Sequence, residues 1–457
     1  MMGDFLKIRV KKRNLFILLA FVLVLAGFFV VYDNYDSSDF LPSVSSADYS
    51  VDNGLSEDKI DIHINEGSYS FLDSVETQVY SYNEQFPGPL IIGKSGTTKE
   101  VTVYNDMDEP TTVHWHGLQL SNIDDGVPQV TQEPIMPGKS FKYEVELRNP
   151  GLYWYHSHVD AGKQIESGLQ GVILVTNDSE IDEGNVLVLD DILVDNSYQF
   201  RDFDLGVMHG RYGNVLLVNG KINPEINLTN NRLRIVNTAN ARSFNIQFEG
   251  KEFTVIGQDI GFSNHYNKTI LTINPGERYD ILLPKDIEEN IKLEYVTSQG
   301  YYDLAKLNYG GSYISLDEFG SFSAPFNLSE ALNKEPDFNV YLKGFMGGHM
   351  GLIWSINGKY YPDNPEIFEV DEGDLVKFRI TNTQGQPHPM HLHGQKFIVL
   401  SRNGVPETDI GWKDVVMVNG GETVDILFKA EDKGDWVFHC HILEHAEAGM
   451  LSIVRVN

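Results

Sequence analysis

Ten of the fourteen histidines in this 457-residue chain fall in four short segments. These are His114-Trp-His116, His156-Ser-His158, His388-Pro-Met-His391-Leu-His393, and His439-Cys440-His441 with His445 four residues on. Residues i and i+2 of a β-strand project from one face, so each H-x-H pair aims two imidazoles at one place. A single such pair is compatible with ordinary structural histidines, whereas four pairs point to imidazoles converging on metal. His63, His209, His265 and His349 lie elsewhere and read as surface or hydrogen-bonded histidines; His349, with Met346 and Met350 nearby, is a minor candidate for a secondary metal contact.

The only cysteine, Cys440, sits between His439 and His441, so no intramolecular disulfide can form. Strand alternation turns its thiol away from the two flanking imidazoles and toward a different metal. Cys440, His445 five residues on, Met450 ten residues on, and His388 make a two-histidine, one-cysteine set with a weak thioether, the ligand set of blue copper. Zinc is the alternative for a Cys/His cluster, but zinc has no need of the methionine. A buried structural cysteine is the other alternative.

These ligands need rigid strands, and the chain repeats a strand pattern three times. Glu100-Val-Thr-Val-Tyr-Asn105, Arg232-Leu-Arg-Ile-Val-Asn237 and Val376-Lys-Phe-Arg-Ile-Thr-Asn382 are versions of one strand ending in Asn. Each is followed by a turn and an alternating strand: Pro137-Gly-Lys-Ser-Phe-Lys-Tyr-Glu-Val145, Pro275-Gly-Glu-Arg-Tyr-Asp-Ile-Leu-Leu283 and Gly420-Gly-Glu-Thr-Val-Asp-Ile-Leu-Phe428. The Asn and the second-element Gly are separated by 33, 39 and 39 positions. Two ordered elements recurring at consistent spacing predict three tandem β-sandwich domains in an all-β chain. His114 and His116 in the first copy match His391 and His393 in the third, and His156 and His158 match His439 and His441. The middle copy has no histidine at these places and reads as a spacer, so eight imidazoles are expected where the first and third copies meet.

Leu15–Tyr32 is uncharged, preceded by five Lys or Arg and followed by Asp33, Asp36 and Asp39. This is an export signal, and its length with no evident small-residue cleavage site favours an uncleaved membrane anchor over a cleaved signal or a buried core helix. The expected organisation is residues 1–32 as signal or anchor, 33–56 as a Ser- and Asp-rich tether, and domains over 57–178, 179–335 and 336–457. The whole chain carries 35 basic and 65 acidic side chains, a net −30; beyond residue 32, 30 stand against 64, a net −34. So acidic a chain is no nucleic-acid binder living on phosphate contacts, and its field favours cationic or neutral partners.

The four histidine segments, in this order and within three repeats, resemble the multicopper oxidase family, in its three-domain, laccase-like branch. The resemblance implies three cupredoxin-like Greek-key sandwiches and four copper ions. It assigns His388, Cys440, His445 and Met450 to a type 1 copper and His114 with His391 to a type 2 copper. It gives His116, His156 and His441 to one type 3 copper and His158, His393 and His439 to the other. It further implies single-electron donation by a phenol or a low-valent metal ion such as Cu(I), Fe(II) or Mn(II). Electrons would pass through Cys440 to His439 and His441, and dioxygen would be reduced to water. Asp125, in Ile-Asp-Asp-Gly, matches an acidic position that serves proton delivery. Many relatives carry Glu directly after the type 1 His; here that residue is Ala446, with Glu444 and Glu447 as the neighbouring carboxylates. The axial Met450 implies a lower potential than a non-coordinating Leu or Phe would give. The chain is expected to act as a monomer outside the cytoplasm, either anchored to the membrane by residues 15–32 if these are uncleaved or secreted after their cleavage. Ligand loss would turn such a fold into a scaffold, and a copper-sequestering protein would share the ligands without turnover.

Overall fold

The computed structural model of the chain describes residues 54–72, 75–177, 185–201, 203, 208–285, 290–347 and 351–457. The expected export helix, residues 33–53 of the expected tether, and His349 with Met350 lie outside these residues. Among the described residues no helix is long and apolar enough to cross a membrane.

Alternation builds the sheets. In Lys59–Leu72, Ile60, Ile62 and Ile64 are buried while Asp61 and His63 between them face solvent. Six sheets form three pairs, and each pair closes on its own apolar core. The architecture is three tandem β-sandwiches, as the repeats predict.

The two repeated elements are partners in space. Thr97–Asn105 pairs antiparallel with Ser140–Leu147, Arg232–Asn237 with Arg278–Leu282, and Leu375–Asn382 with Thr423–Lys429. The terminal Asn closes the same knot each time. Its side-chain amide donates to two carbonyls: those of Glu109 and Ile135 from Asn105, of Arg242 and Ile273 from Asn237, and of Gln386 and Val418 from Asn382. Its carbonyl accepts from Gly138, Gly276 or Gly421, the turn glycine of the partner element. A short buried amide that meets three backbone groups, the two carbonyls and one N–H that its oxygen accepts, satisfies a strand end that would otherwise carry unpaired polar atoms.

The three sandwiches share sheet and core. The short strand Gly411–Trp412 of the third copy is the seventh strand, at the edge of a sheet whose other six belong to the middle copy; there Ile260 faces Trp412 and Ser263 faces Gly411. Val127 of the first copy packs with Val437, Leu451 and Ile453 of the third, and Leu90, Leu152 and Trp154 of the first pack with Val186, Val188 and Val236 of the second. The ligand-bearing strands therefore stand on joined frameworks rather than on separate beads.

Candidate metal centres

Four strands carry most of the ligands. His114–His116 pairs with Gly151–His156, placing His114 opposite His156 and His116 opposite Trp154. In the third copy His388–Leu392 pairs with Gly434–Cys440, placing His391 opposite His439 and Met390 opposite Cys440. Directly opposed residues share a sheet face. His391 and His439 therefore turn toward the first copy while Met390 and Cys440 turn into the third copy's core, where both are fully buried.

On that core side, the sulfur of Cys440 lies 3.5 Å from His388 Nδ1 and 3.7 Å from His445 Nδ1, and the two Nδ1 atoms are 3.1 Å apart. Met450 is buried in the same core, its N–H donating to the His445 carbonyl and its carbonyl accepting from the Cys440 N–H. The segment Leu443–Glu447 is one short helix, which returns His445 to Cys440 and then delivers Met450. Burial pushes the Cys440 thiol up and holds His388 down at about 3. A dry pocket thus disfavours the thiolate unless a cation is present to balance it.

On the opposite side, the ligand nitrogens of His116, His156 and His441 lie within 4.8 Å of one another, as do those of His158, His393 and His439 and those of His114, His116 and His391. The halves are related by an approximate two-fold. His114 stacks on His393 with ring centroids 3.8 Å apart, and His116 stacks on His391 at 3.7 Å. His114 Nδ1–H donates to the Asp125 carbonyl at 2.8 Å and His391 Nδ1–H donates to the Asp414 carbonyl at 2.9 Å. His156 and His439 each donate Nδ1–H to the carbonyl of the next residue, both at 2.8 Å. Two carboxylates complete the symmetry: Asp125 accepts from His393 Nδ1 at 2.9 Å and Asp414 accepts from His116 Nε2 at 3.1 Å. Such partners fix which nitrogen of each ring is left for a metal.

The nitrogens so left are consistent with metal binding. His116 Nδ1, His156 Nε2 and both nitrogens of His441 are buried without a hydrogen-bond partner. Buried lone pairs without partners are costly, and a bound metal would take several of them up. The donor sets, one soft thiolate with two imidazoles and eight imidazoles on the other side, suit copper. Glu444 accepts from the Asn240 amide at 2.8 Å and is pushed up to about 7 by burial, while Glu447 accepts from the Gly162 N–H at 2.8 Å. Of the remaining histidines, His63 pairs with Asp106 at the surface, His209 meets Gln386, and His265 donates to the Gly320 carbonyl.

Several site residues were not identified from the sequence. Trp154 packs on three imidazoles, His116, His156 and His441, with centroids 5.0, 4.4 and 5.2 Å away. Its position two before His156 on one strand face was a usable signal. Trp354 covers His388 and His445 at 4.8 and 4.4 Å, and nothing in its local sequence announces this. The middle copy is more than a spacer: it supplies no imidazole, but its Arg278 reaches Asp414 and its Asn240 holds Glu444.

Burial of the imidazoles sets a pH response. His158, His388 and His439 are held down at about 3, against an ordinary value near 6.5, by loss of solvation. Between those limits the unfolded chain binds more protons than the folded one, so stability rises with pH. The metal-free chain is expected to hold a constant contribution from these groups above about 6.5 and to lose up to ~1.4 kcal/mol per pH unit from each as pH falls toward 3. Urea midpoints of the metal-free protein across that window provide the check; midpoints that stay level contradict the burial argument.

Three stretches of the chain, residues 63–180, 196–295 and 332–457, match profiles described as multicopper oxidase. A multicopper oxidase of Staphylococcus epidermidis is 29% identical over 419 residues, spanning 86% of this chain and 87% of its own length. Laccase-1 of Melanocarpus albomyces is 27% identical over 472 residues, covering 82% of this chain and 74% of its own. The solved structure of a Campylobacter jejuni multicopper oxidase, described as a metallo-oxidase, superposes with a TM-score of 0.80 at 25% identity, covering 92% of this chain and 96% of that one. With its three cupredoxin-like sandwiches, the chain belongs to the multicopper oxidase family and is a copper-dependent oxidoreductase that uses dioxygen as acceptor.

Proposed function

We propose that the protein takes electrons singly from a phenolic or low-valent metal donor at the Cys440 side and reduces dioxygen to water at the eight-imidazole side. Four copper ions would serve these sites: one held by His388, Cys440, His445 and Met450, one by His114 and His391, one by His116, His156 and His441, and one by His158, His393 and His439. Bound copper supplies the one-electron redox steps and the reduction of dioxygen. The observation that carries this reading is the position of Cys440. Its sulfur meets His388 and His445 on one face of the strand, while its two chain neighbours face the other group. One residue's backbone thus joins the two sites.

His445 is the candidate point of electron entry. Its Nε2 lies 3.4 Å from the carbonyl of Met208, a residue 45% exposed, so the ring edge is close to solvent. The hairpin that brings Trp354 over both imidazoles also exposes Phe345 and Met346. An aromatic and thioether rim accepts a flat phenol. The exposed thioethers of Met208 and Met346 favour, as a second reading, a soft cation such as Cu(I), which the acidic surface would concentrate. Asp125 is the candidate proton donor, touching His393 and His114. We further propose domain limits at 57–178, 179–335 and 336–457, and a location outside the cytoplasm, either anchored by residues 15–32 or released after their removal.

Oxygen uptake by the copper-loaded protein, with a phenol, Cu(I), Fe(II) and Mn(II) compared by kcat/KM, tests the proposal. Turnover with one donor class well above the others identifies the substrate. Blue protein that consumes no oxygen with any of them marks a copper-storage protein instead.

A further inference from the structure

The two-fold relation between the halves of the imidazole cluster breaks at the carboxylates. Among the described residues, the ion pairs of Asp125 are with His114 and His393 alone. Asp414, its counterpart, is also clamped by a guanidinium. Arg278 Nη1 lies 2.6 Å from Asp414 Oδ1 and Nη2 lies 2.5 Å from Oδ2, a bidentate pair with both residues buried. Arg278 is in turn fixed from all three sandwiches. Its Nε donates to the Leu152 carbonyl of the first at 3.0 Å, and its Nη1 to the Gly276 carbonyl of the second at 3.0 Å. Its backbone N–H donates to Asp259 at 2.8 Å, and the Asp259 carboxylate also accepts from the Asp414 N–H at 3.3 Å.

The chain leaves room for this pair beside the ligands. At Gly117, the residue after His116, φ is +87°, and a Cβ would stand 2.4 Å from Arg278 Nη2 and 2.7 Å from Asp414 Oδ2. At Gly276, in the same turn as Arg278, φ is +82° and a Cβ would stand 3.2 Å from His116 Cε1 and 3.3 Å from His441 Cδ2. Both positions combine a left-handed backbone with a close approach that any side chain would obstruct.

We propose that Arg278, from the copy without imidazoles, is a positioning residue of the oxygen-reducing site: it holds Asp414 so that its carboxylate and carbonyl orient His116 and His391. This rests on the reading of the eight imidazoles as that site. A planar guanidinium fixes both oxygens of a carboxylate, and with them the rotation of the Asp414 side chain; a lysine ammonium fixes a point. His116 and His391 stack face to face, so a turn in one ring displaces the other. Asp125 has no guanidinium among its ion-pair partners in the described residues, and the two related carboxylates divide orientation from proton delivery.

The test uses the full copper-loaded chain carrying Arg278→Lys, which retains the buried charge and loses the two-point contact. Electron paramagnetic resonance of the resting protein should show altered type 2 copper parameters with type 1 parameters, blue absorption and donor-driven reduction of type 1 copper unchanged. Turnover should fall about 10- to 100-fold. Asp414→Asn should give the same spectral change, and the double variant should add little to either, because both act through one unit. Arg278→Lys with wild-type type 2 parameters, or with type 1 and type 2 disturbed alike, overturns the proposal. If Arg278→Lys does not fold, the Asp414→Asn spectrum decides, and an unchanged type 2 signal rejects the assignment. The spectra need no turnover, so wild-type protein that binds copper without consuming oxygen would reject the functional reading and leave this test intact.

Discussion

Cys440→Ser is expected to abolish the blue absorption and lower oxygen uptake at least about a thousandfold, equivalent to roughly 4 kcal/mol of barrier, while type 2 and type 3 copper remain bound. The substitution exchanges sulfur for oxygen with little change in shape, so the strand register that places His439 and His441 is preserved. The ligand chemistry changes entirely. A thiolate is a soft, strongly donating partner for copper, and a buried serine hydroxyl stays protonated and binds weakly. His388 and His445 would remain within reach of each other, but the group that joins them to the second site would be lost. Absorption and paramagnetic resonance spectra, copper per chain and oxygen uptake separate the outcomes. Retained blue colour would refute the assignment of Cys440, and lost colour with undiminished turnover would refute its role as electron bridge.

The same strand shows how much was legible beforehand. Alternation alone separates Cys440 from His439 and His441, and in the structure the sulfur and the two imidazoles meet different partners. The repeated Asn and Gly elements were legible as a pattern because each performs one job three times over, closing a strand end against its partner strand. Asp414 was not legible. It follows His391 by 23 residues in no recognisable motif, and it acquires meaning only when the fold carries it beside His116, 298 positions away in sequence. Arg278 lay in plain view inside the second repeat, where it reads as an ordinary alternating strand residue. Its importance comes from three sandwiches meeting at one guanidinium, which no local period encodes. Trp354 is hidden for the same reason, whereas Trp154 shares a strand face with His156.

The joined frameworks also explain why a copy without ligands is retained in the middle of the chain. The first and third sandwiches must hold eight imidazoles in one arrangement, and they meet through a small apolar cluster at Val127 and through polar contacts such as Gln119–Glu431, Asn122–Asp435 and Arg148–Asp432. The middle sandwich braces both: it packs on the first through Trp154 and Val236, and it shares a sheet with the third through Gly411–Trp412. That short strand leads directly to Lys413 and Asp414. Lys413 is itself tied to Asp259 and Glu277, both at 3.2 Å. The brace and the orienting carboxylate are therefore one continuous segment.

Asp125→Asn is expected to slow oxygen reduction about 10²- to 10³-fold, within the usual range for losing a positioned proton donor, without loss of copper. Reducing dioxygen to water consumes as many protons as electrons, and the site is walled by buried, neutral imidazoles that cannot supply them. Asp125 is the acidic side chain that touches both His114 and His393, at 3.3 and 2.9 Å. An asparagine in the same pose keeps a carbonyl oxygen to accept from His393 Nδ1–H, and the backbone carbonyl that holds His114 is untouched. Orientation therefore survives while the capacity to carry a proton is lost. Asp125→Ala removes both, and should lose copper as well as rate. Stopped-flow reduction of the type 1 site by the donor should be unaffected in Asp125→Asn, since that site lies on the far face of the Cys440 strand, and the defect should appear only in reoxidation by dioxygen. An Asp125→Asn protein that reoxidises at the wild-type rate would leave Asp125 with the purely orienting role that Asp414 holds on the other side.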